Sequence, residues 1–491
     1  MIDHLFAAAD LGASSGRVIL GRLNDGRFTL TEVHRFPTPS FENDGHLHWD
    51  AEAIRNHIIT GIRAAGESGP LRSVAVDTWG VDYGRLDATG TLSEPPHHYR
   101  DARTQGVPAA FFADFGPEKL YGQAGLQVMD FNTVFQYASS AGDPRWPEVD
   151  TCLFLPDLFT YWLCGAKNAE ITIASTSGLL DVGARQWSAT TLAHMNQRYG
   201  IDCERVLPPL VEPGTVVGSL YREILDCDTS VIAVGSHDTA SAIASIPTTT
   251  RNFAYISSGT WSLVGLELDH PILSEESRQA DFTNELGIDS TLTYHRNVMG
   301  LWVLTESRRH WEAEGLDVDL QTLIEAAAHL PALVTVVDME DPRLMPPGDM
   351  PSRLADMAQE TGQPIPQTPV EYTRCIIDSL ALGYRRVIRQ AQNLAKTEVE
   401  VIHIVGGGCR NRLLNQLTTE ATGLEVIAGP AEGTALGSLL VQARATGVLQ
   451  GDLMALRHVS RASCQVDTYT PGVLGLTQSD WDNAERRAFA F

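Results

Sequence analysis

The chain contains no Cys-x-x-Cys pair, no apolar run long enough to cross a membrane, and too few basic residues to balance its acidic ones. Each shortage removes a class of function. The seven cysteines, Cys152, Cys164, Cys203, Cys227, Cys375, Cys409 and Cys464, are an odd set in a long chain, which argues against a disulfide framework. His46-Leu-His48 and His97-His98 have no Cys or carboxylate partner at zinc-like spacing, so no zinc site is expected. Lys and Arg total 36 against 61 Asp and Glu, a formal charge of -25. That balance argues against nucleic acid, whose phosphates demand clustered basic side chains. The apolar run Leu5 to Ala9 is too short for a signal peptide or a membrane span, so a cytoplasmic protein with no membrane partner is expected. Two common nucleotide signatures are also missing: the Gly-x-x-x-x-Gly-Lys-Ser/Thr loop, and Gly-x-Gly-x-x-Gly between a strand and a helix.

What remains is large and patterned. With 491 residues, 43% of them hydrophobic, the chain can bury a sizeable core and should divide into at least two domains. Apolar strands alternate with helical stretches. Asp50 caps an amphipathic helix, Arg72 to Asp82 reads as a buried strand running into a turn, and Glu371 to Leu394 reads as a long helix leading to the strand before Gly406-Gly-Gly408. Such alternation predicts α/β architecture, with ligands gathering at strand ends. Ser14-Ser15-Gly16 and Ser257-Ser258-Gly259 stand 243 positions apart (257 less 14), each between two strand-like runs. The spacing suggests a duplicated fold with one small-residue hairpin per half. Such turns bring backbone N–H groups close to phosphate oxygens, because glycine has no Cβ to block approach. Ile246-Pro-Thr-Thr-Thr-Arg251 reads as the hinge, separating domains at 1–247 and 252–491. At the end of the strand Val231 to Val234 stands Gly235-Ser-His-Asp-Thr239. Asp238 is either a helix cap or a carboxylate offered to a ligand, and the neighbouring His237 and the hinge favour the second.

These residues carry a resemblance that runs along essentially the whole chain. Asp10-Leu-Gly-Ala-Ser-Ser-Gly-Arg17, Asp77-Thr-Trp-Gly-Val-Asp82, Tyr99-Arg-Asp101, Ser236-His-Asp-Thr-Ala-Ser241, Ser257-Ser-Gly-Thr-Trp-Ser262, Asn297-Val-Met-Gly-Leu-Trp302 and Val405-Gly-Gly-Gly-Cys409 are similar to motifs of the FGGY carbohydrate kinases. Thr-Trp-Gly-Val-Asp and Asn-x-Met-Gly-Leu-Trp resemble the branch of that family that handles 6-deoxy-ketohexoses, and not its glycerol or xylulose branches.

The resemblance implies two duplicated domains of the actin-like and hexokinase type (ribonuclease H-like), with a cleft and hinge between them. It also implies ATP and Mg²⁺ as donor and cofactor, L-rhamnulose as sugar, and Asp238 as base. Asp10 would hold Mg²⁺ through water. Ala13, Ser14, Ser15, Gly16, Arg17, Thr260, Thr305 and Gly407 would meet ATP, and Gly80, His237, Thr239 and Asn297, with Asp238, would meet the sugar. Thr305 departs from the family's more frequent glutamine. Other readings stay open at this point: Arg17 in an exposed salt bridge, the triple glycine as a flexible turn, and Trp79 and Trp302 as core residues instead of a wall for the sugar's methyl group. L-Fuculose is the rival sugar, and an actin-like chaperone or filament ATPase the rival class. Monomer and homodimer are both compatible with the sequence.

Overall fold

The structure is a computed structural model that describes residues 3–489. Its backbone forms two compact units. The first comprises residues up to 249 together with 268–294 and 433–463; the second comprises 250–267, 295–432 and the segment from 464 onward. The chain thus does not divide at a single point in sequence: two segments that follow the expected boundary at 247–252 group with the first unit.

The first unit is built on a mixed sheet. Strands β1 (His4–Leu11), β2 (Ser15–Asn24), β3 (Arg27–Pro37), β4 (Leu71–Thr78), β5 (Thr215–Ser219) and β6 (Ser230–Ala233) lie in the order β5-β6-β4-β1-β2-β3. The pairs β1 with β4 and β4 with β6 are parallel, whereas β1 with β2 and β2 with β3 are antiparallel hairpin neighbours. Leu71 to Thr78 is buried at every position except Arg72, as a parallel strand covered on both faces should be. The helix Ala51–Gly66 starts where the side chain of Asp50 accepts the Ala53 N–H. It buries Ile54, Ile58, Ile62 and Ala65, a stripe at helical spacing that joins Ala7, Ala9, Val18, Leu20, Val74 and Val76 in one core.

The segment 433–463 belongs to this unit because of close packing that only a small residue permits. On the helix Gly433–Ala445, a Cβ at Gly437 would stand 1.8 Å from the Ser241 carbonyl oxygen, so any side chain would force the helix away. One turn on, Gln442 donates to the Ala7 carbonyl and accepts from Ser73 Oγ, tying that helix to β1 and β4. The segment 268–294 is held by Tyr121, whose hydroxyl donates to the Phe282 carbonyl, and by Asn284, whose amide donates to the Gly125 carbonyl. Neither segment announces this attachment in its local sequence.

In the second unit β7 (Phe253–Ser258), β8 (Trp261–Leu268), β9 (Leu292–Met299), β10 (Val401–Val405), β11 (Glu425–Ala428) and β12 (Asp467–Tyr469) run in the order β9-β8-β7-β10-β11-β12. Again the central pair, β7 with β10, is parallel, and the strand that follows β7 in sequence returns beside it as a hairpin. The helix Pro369–Ala395 begins with a capping box in which Thr368 and Glu371 satisfy each other's backbone N–H. Asn411 caps the helix Arg412–Thr422 after the glycine turn. Among the described residues no cysteine forms a disulfide, and no helix is long and apolar enough to cross a membrane.

Candidate active site

Three adjacent parallel strands of the first unit end in acidic residues at the same edge of the sheet. Asp10 and Asp77 are the penultimate residues of β1 and β4, and His237-Asp238 follow β6. Asp10 and Asp77 are register partners, so their side chains leave the sheet on the same face. Beyond the end of β6, the Thr78 N–H donates to the Ser236 carbonyl at 2.9 Å and Thr78 bridges to His237, which brings Asp238 to the same edge. Strand ends of an α/β sheet are where ligands gather.

The three carboxylates differ in their partners. Asp10 accepts from Arg17 Nε at 3.0 Å and Nη2 at 2.8 Å, a fork set up by the β1–β2 register, which pairs these two residues. Asp77 is fully buried, and neither of its oxygens accepts a hydrogen bond among the described residues. Burial, followed by the charges of Asp10 and Asp238, pushes its carboxyl well above the usual range. Asp238 opens the helix Asp238–Ala244, but His237 occupies the cap position, with no side-chain capping bond. The helix-cap reading of Asp238 is therefore excluded. Its side chain keeps 32% of its surface accessible, against 10% for Asp10, so Asp238 is the carboxylate of the three most open to a reactant. Burial raises its pKa, His237 opposes that shift and Asp10 adds to it, while Thr239 Oγ1 donates to Oδ1 at 3.2 Å.

His237 lies between two carboxylates, with Nδ1 3.1 Å from Glu285 Oε2 and Nε2 3.5 Å from Asp238 Oδ1. Burial alone would expel its proton. The charge and hydrogen bond of Glu285, with smaller contributions from Asp238 and Glu170, outweigh burial and raise its pKa to about 9. The buried Glu170 accepts from the N–H groups of Ser236, Thr172 and Ile173, and burial pushes it to about 7.

The other expected site residues of this unit take several environments. Ala13 is half-buried, Ser14 and Ser15 are exposed at the tip of the β1–β2 hairpin, and Gly16 is buried. Gly80 is half-buried beside Thr176, and Thr239 is buried. Trp79 is core: it packs on Trp49, and the indole N–H groups of both donate to Asp82 Oδ2, at 2.9 and 2.7 Å. The carboxylate of Asp82 also accepts from Gln136.

In the second unit Thr260 is exposed at the tip of the β7–β8 hairpin, where its carbonyl accepts the Trp302 N–H at 3.2 Å. Thr305 is exposed one turn into the helix Trp302–Ala313, and its hydroxyl donates back to the Leu301 carbonyl. Trp302 is half-buried, with its indole N–H on the Leu344 carbonyl, and Asn297 is half-buried on β9. The glycine turn is not a loose connector. A Cβ on Gly408 would stand 2.0 Å from Ser258 Oγ and 2.5 Å from Ser258 Cβ, so turn and hairpin touch directly. Gly407 is exposed with open space over its Cα, as a site for close ligand approach requires.

Residues 5–244 match the N-terminal domain of the FGGY family of carbohydrate kinases, and residues 254–446 match its C-terminal domain. The chain belongs to the FGGY family of carbohydrate kinases. It is 38% identical to a rhamnulokinase of Bacteroides thetaiotaomicron over 473 residues, 95% of this chain and 96% of that one. It is 39% identical to a rhamnulokinase of Enterococcus faecalis over 472 residues, 94% of each. In fold it is similar to a xylulose kinase from Rhodospirillum rubrum, with a TM-score of 0.80 at 17% identity over 99% of this chain and 98% of that one. A glycerol kinase from Plasmodium falciparum, solved with ADP, gives 0.79 at 13% identity over the same shares. The two-domain sugar-kinase fold expected from the motifs is the fold observed, and the chain is a carbohydrate kinase.

Asp77 lies within the motif Asp77-Thr-Trp-Gly-Val-Asp82, which gives it no role, and Glu170 and Glu285 lie in no motif. The signal for Asp77 was a charged residue closing an otherwise apolar strand. Glu285 had none, since only folding brings residues 48 positions apart to the two sides of one imidazole.

Proposed function

We propose that this kinase transfers the γ-phosphoryl group of ATP to the 1-hydroxyl of L-rhamnulose, giving L-rhamnulose 1-phosphate and ADP. The substrate follows the two rhamnulokinases that match nearly the whole chain. The observation that carries the mechanism is the partly accessible Asp238 carboxylate at an edge where its acidic neighbours are buried or paired.

Asp238 accepts the hydroxyl proton as the sugar oxygen bonds to the γ-phosphorus. The bond from that phosphorus to its bridging oxygen breaks, and ADP leaves with the electron pair. A positioned base of this kind contributes roughly 10² to 10⁴ in rate, and positioning and charge stabilisation supply the rest. Gly80, Thr239 and Asn297 bind the sugar hydroxyls, whereas His237 has both ring nitrogens toward carboxylates. Ala13, Ser14, Ser15, Gly16 and Arg17 contact the phosphates, and Thr260, Thr305 and Gly407 contact the nucleotide. The unpartnered buried oxygens of Asp77 beside Asp10 fit a hard cation, because an all-oxygen donor set with few carboxylates suits Mg²⁺. Asp10 would hold Mg²⁺ through water, and the ion would neutralise charge at the phosphate oxygens. The protein acts on a small sugar and ATP in the cytoplasm.

The test is a competition. The purified protein, Mg-ATP and equal concentrations of L-rhamnulose, L-fuculose, L-ribulose, D-xylulose and glycerol are mixed, and products are identified by ³¹P–¹H NMR. Phosphate on carbon 1 of L-rhamnulose, ahead of every competitor, is the expected result. Preferential phosphorylation of L-fuculose or any other competitor overturns the substrate assignment.

A further inference from the structure

Both ring nitrogens of His237 face carboxylates: Nδ1 lies 3.1 Å from Glu285 and Nε2 lies 3.5 Å from Asp238. A neutral imidazole carries one N–H and one lone pair, so one of those faces would set a lone pair against an anion. Only the imidazolium, with two donors, satisfies both. Glu285, on the strand Thr283–Leu286, comes from a segment distant in sequence, and its side chain is 10% accessible. A buried carboxylate at this distance favours the charged imidazole. The remaining charged groups around the ring are Asp238, from its own helix, and Glu170, whose Oε2 holds the Ser236 N–H. The ring's main chain is fixed as well, since the His237 N–H donates to Thr172 Oγ1 at 3.2 Å.

We propose that Glu285 is a positioning residue that holds His237 as an imidazolium, whose charge keeps the neighbouring Asp238 ionised and oriented as the base. Asp238 needs that support because burial and Asp10 both favour its protonated form. The inference rests on Asp238 being the base. Glu285 acts through His237 and touches no substrate.

Selective ¹⁵N-histidine labelling of the whole protein, with the His237 signal assigned by its loss in His237→Gln, reads the ring's charge without substrate. In the wild type the His237 nitrogens are expected to have imidazolium shifts at pH 7.5 and to titrate near 9. In Glu285→Gln the titration moves below about 7, and Glu285→Asp restores most of it. Kinetically, Glu285→Gln moves the alkaline limb of kcat/KM down by more than about one pH unit and lowers kcat about tenfold at pH 8, with less than about threefold change in the sugar KM. A neutral His237 in the wild type at pH 7.5 overturns the proposal even if the variant fails to fold. So does a titration that Glu285→Gln leaves in place. Failure of the base assignment is read separately, as retained turnover in Asp238→Asn while the His237 charge is as described.

Discussion

The two units open with hairpins that look alike in sequence and differ in chemistry. In the first, the turn begins at Gly12, whose N–H donates to the Ser15 carbonyl; in the second it begins at Gly259, whose N–H donates to the Trp261 carbonyl. These glycines are therefore the structural counterparts, so Asp10 corresponds to Ser257. The Ser-Ser-Gly triplets that suggested the duplication sit on opposite sides of their turns: Ser15 begins a strand, whereas Ser258 ends one. The parallel neighbour continues the contrast. Asp77 faces Asp10 in the first unit, whereas Val405 faces Ser257 in the second. One unit has acids at its sheet edge and an imidazole beside them. The other has hydroxyls and a glycine turn packed on Ser258. One backbone device thus carries acids in one unit and hydroxyls beside a glycine turn in the other.

The largest expected effect of breaking this contrast is on the acidic side. Asp238→Asn keeps the shape and removes the proposed base, so kcat should fall by about 10² to 10⁴ while the protein keeps its melting temperature within a few degrees. Coupled-enzyme assay of ADP release and calorimetry together check both halves of that expectation.

Next comes the pH dependence of stability, to which the buried Glu170 of the acidic unit should contribute near neutral pH. Folding raises Glu170 from 4.5 to about 7, so the folded state holds a proton that the unfolded chain has released. The stabilisation is complete below about pH 4.5 and is lost as pH rises through 7. Glu170→Gln, which cannot titrate, should remove about 1 to 3 kcal/mol of the stability lost between pH 5 and 7.5. Urea unfolding at both pH values reads this, and an unchanged pH slope in the variant would show that Glu170 is ionised in the folded protein.

On the glycine side, Gly408→Ala places a methyl against Ser258, and neither the Ser258 Cβ nor its backbone can yield without moving β7. Overpacking of this kind costs about 1 to 3 kcal/mol, and a rise in the KM for ATP should accompany it. Native melting temperature and wild-type ATP saturation in this variant would mean that turn and hairpin are not in contact. The smallest effect is expected at Thr305, whose hydroxyl bonds its own helix. Thr305→Ala should shift the KM for ATP by less than about threefold, and a larger shift would show that the hydroxyl turns to the nucleotide.

The legibility of this molecule in its sequence follows the range of the interactions involved. The strand Val401–Val405 and the helix Arg412–Thr422 after the glycine turn were readable because apolar runs, an asparagine cap and a triple glycine are local signals. Asp10 and Asp238 were readable because a carboxylate at a strand end breaks an apolar pattern. Asp238's escape from helix capping was not readable, because His237 and Asp238 compete for one cap position and only the backbone decides between them. The Ser-Ser-Gly repeat does not show how the two hairpins align for a related reason: repeated residue types do not coincide with repeated turn hydrogen bonds. The attachment of 268–294 and 433–463 to the first unit rests on a Gly437–Ser241 approach and on the Tyr121 and Asn284 bonds, all long-range. Glu285 at the His237 ring belongs to the same class.

The most direct single measurement is steady-state ADP release by the purified wild-type protein with Mg-ATP, in the presence and absence of L-rhamnulose. Release that rises at least about 10²-fold with the sugar is the expected result, since the proposed base Asp238 would act only on a bound hydroxyl. Release at the same rate without sugar would contradict a sugar kinase acting through Asp238 and would mark an ATPase whose turnover answers to something else.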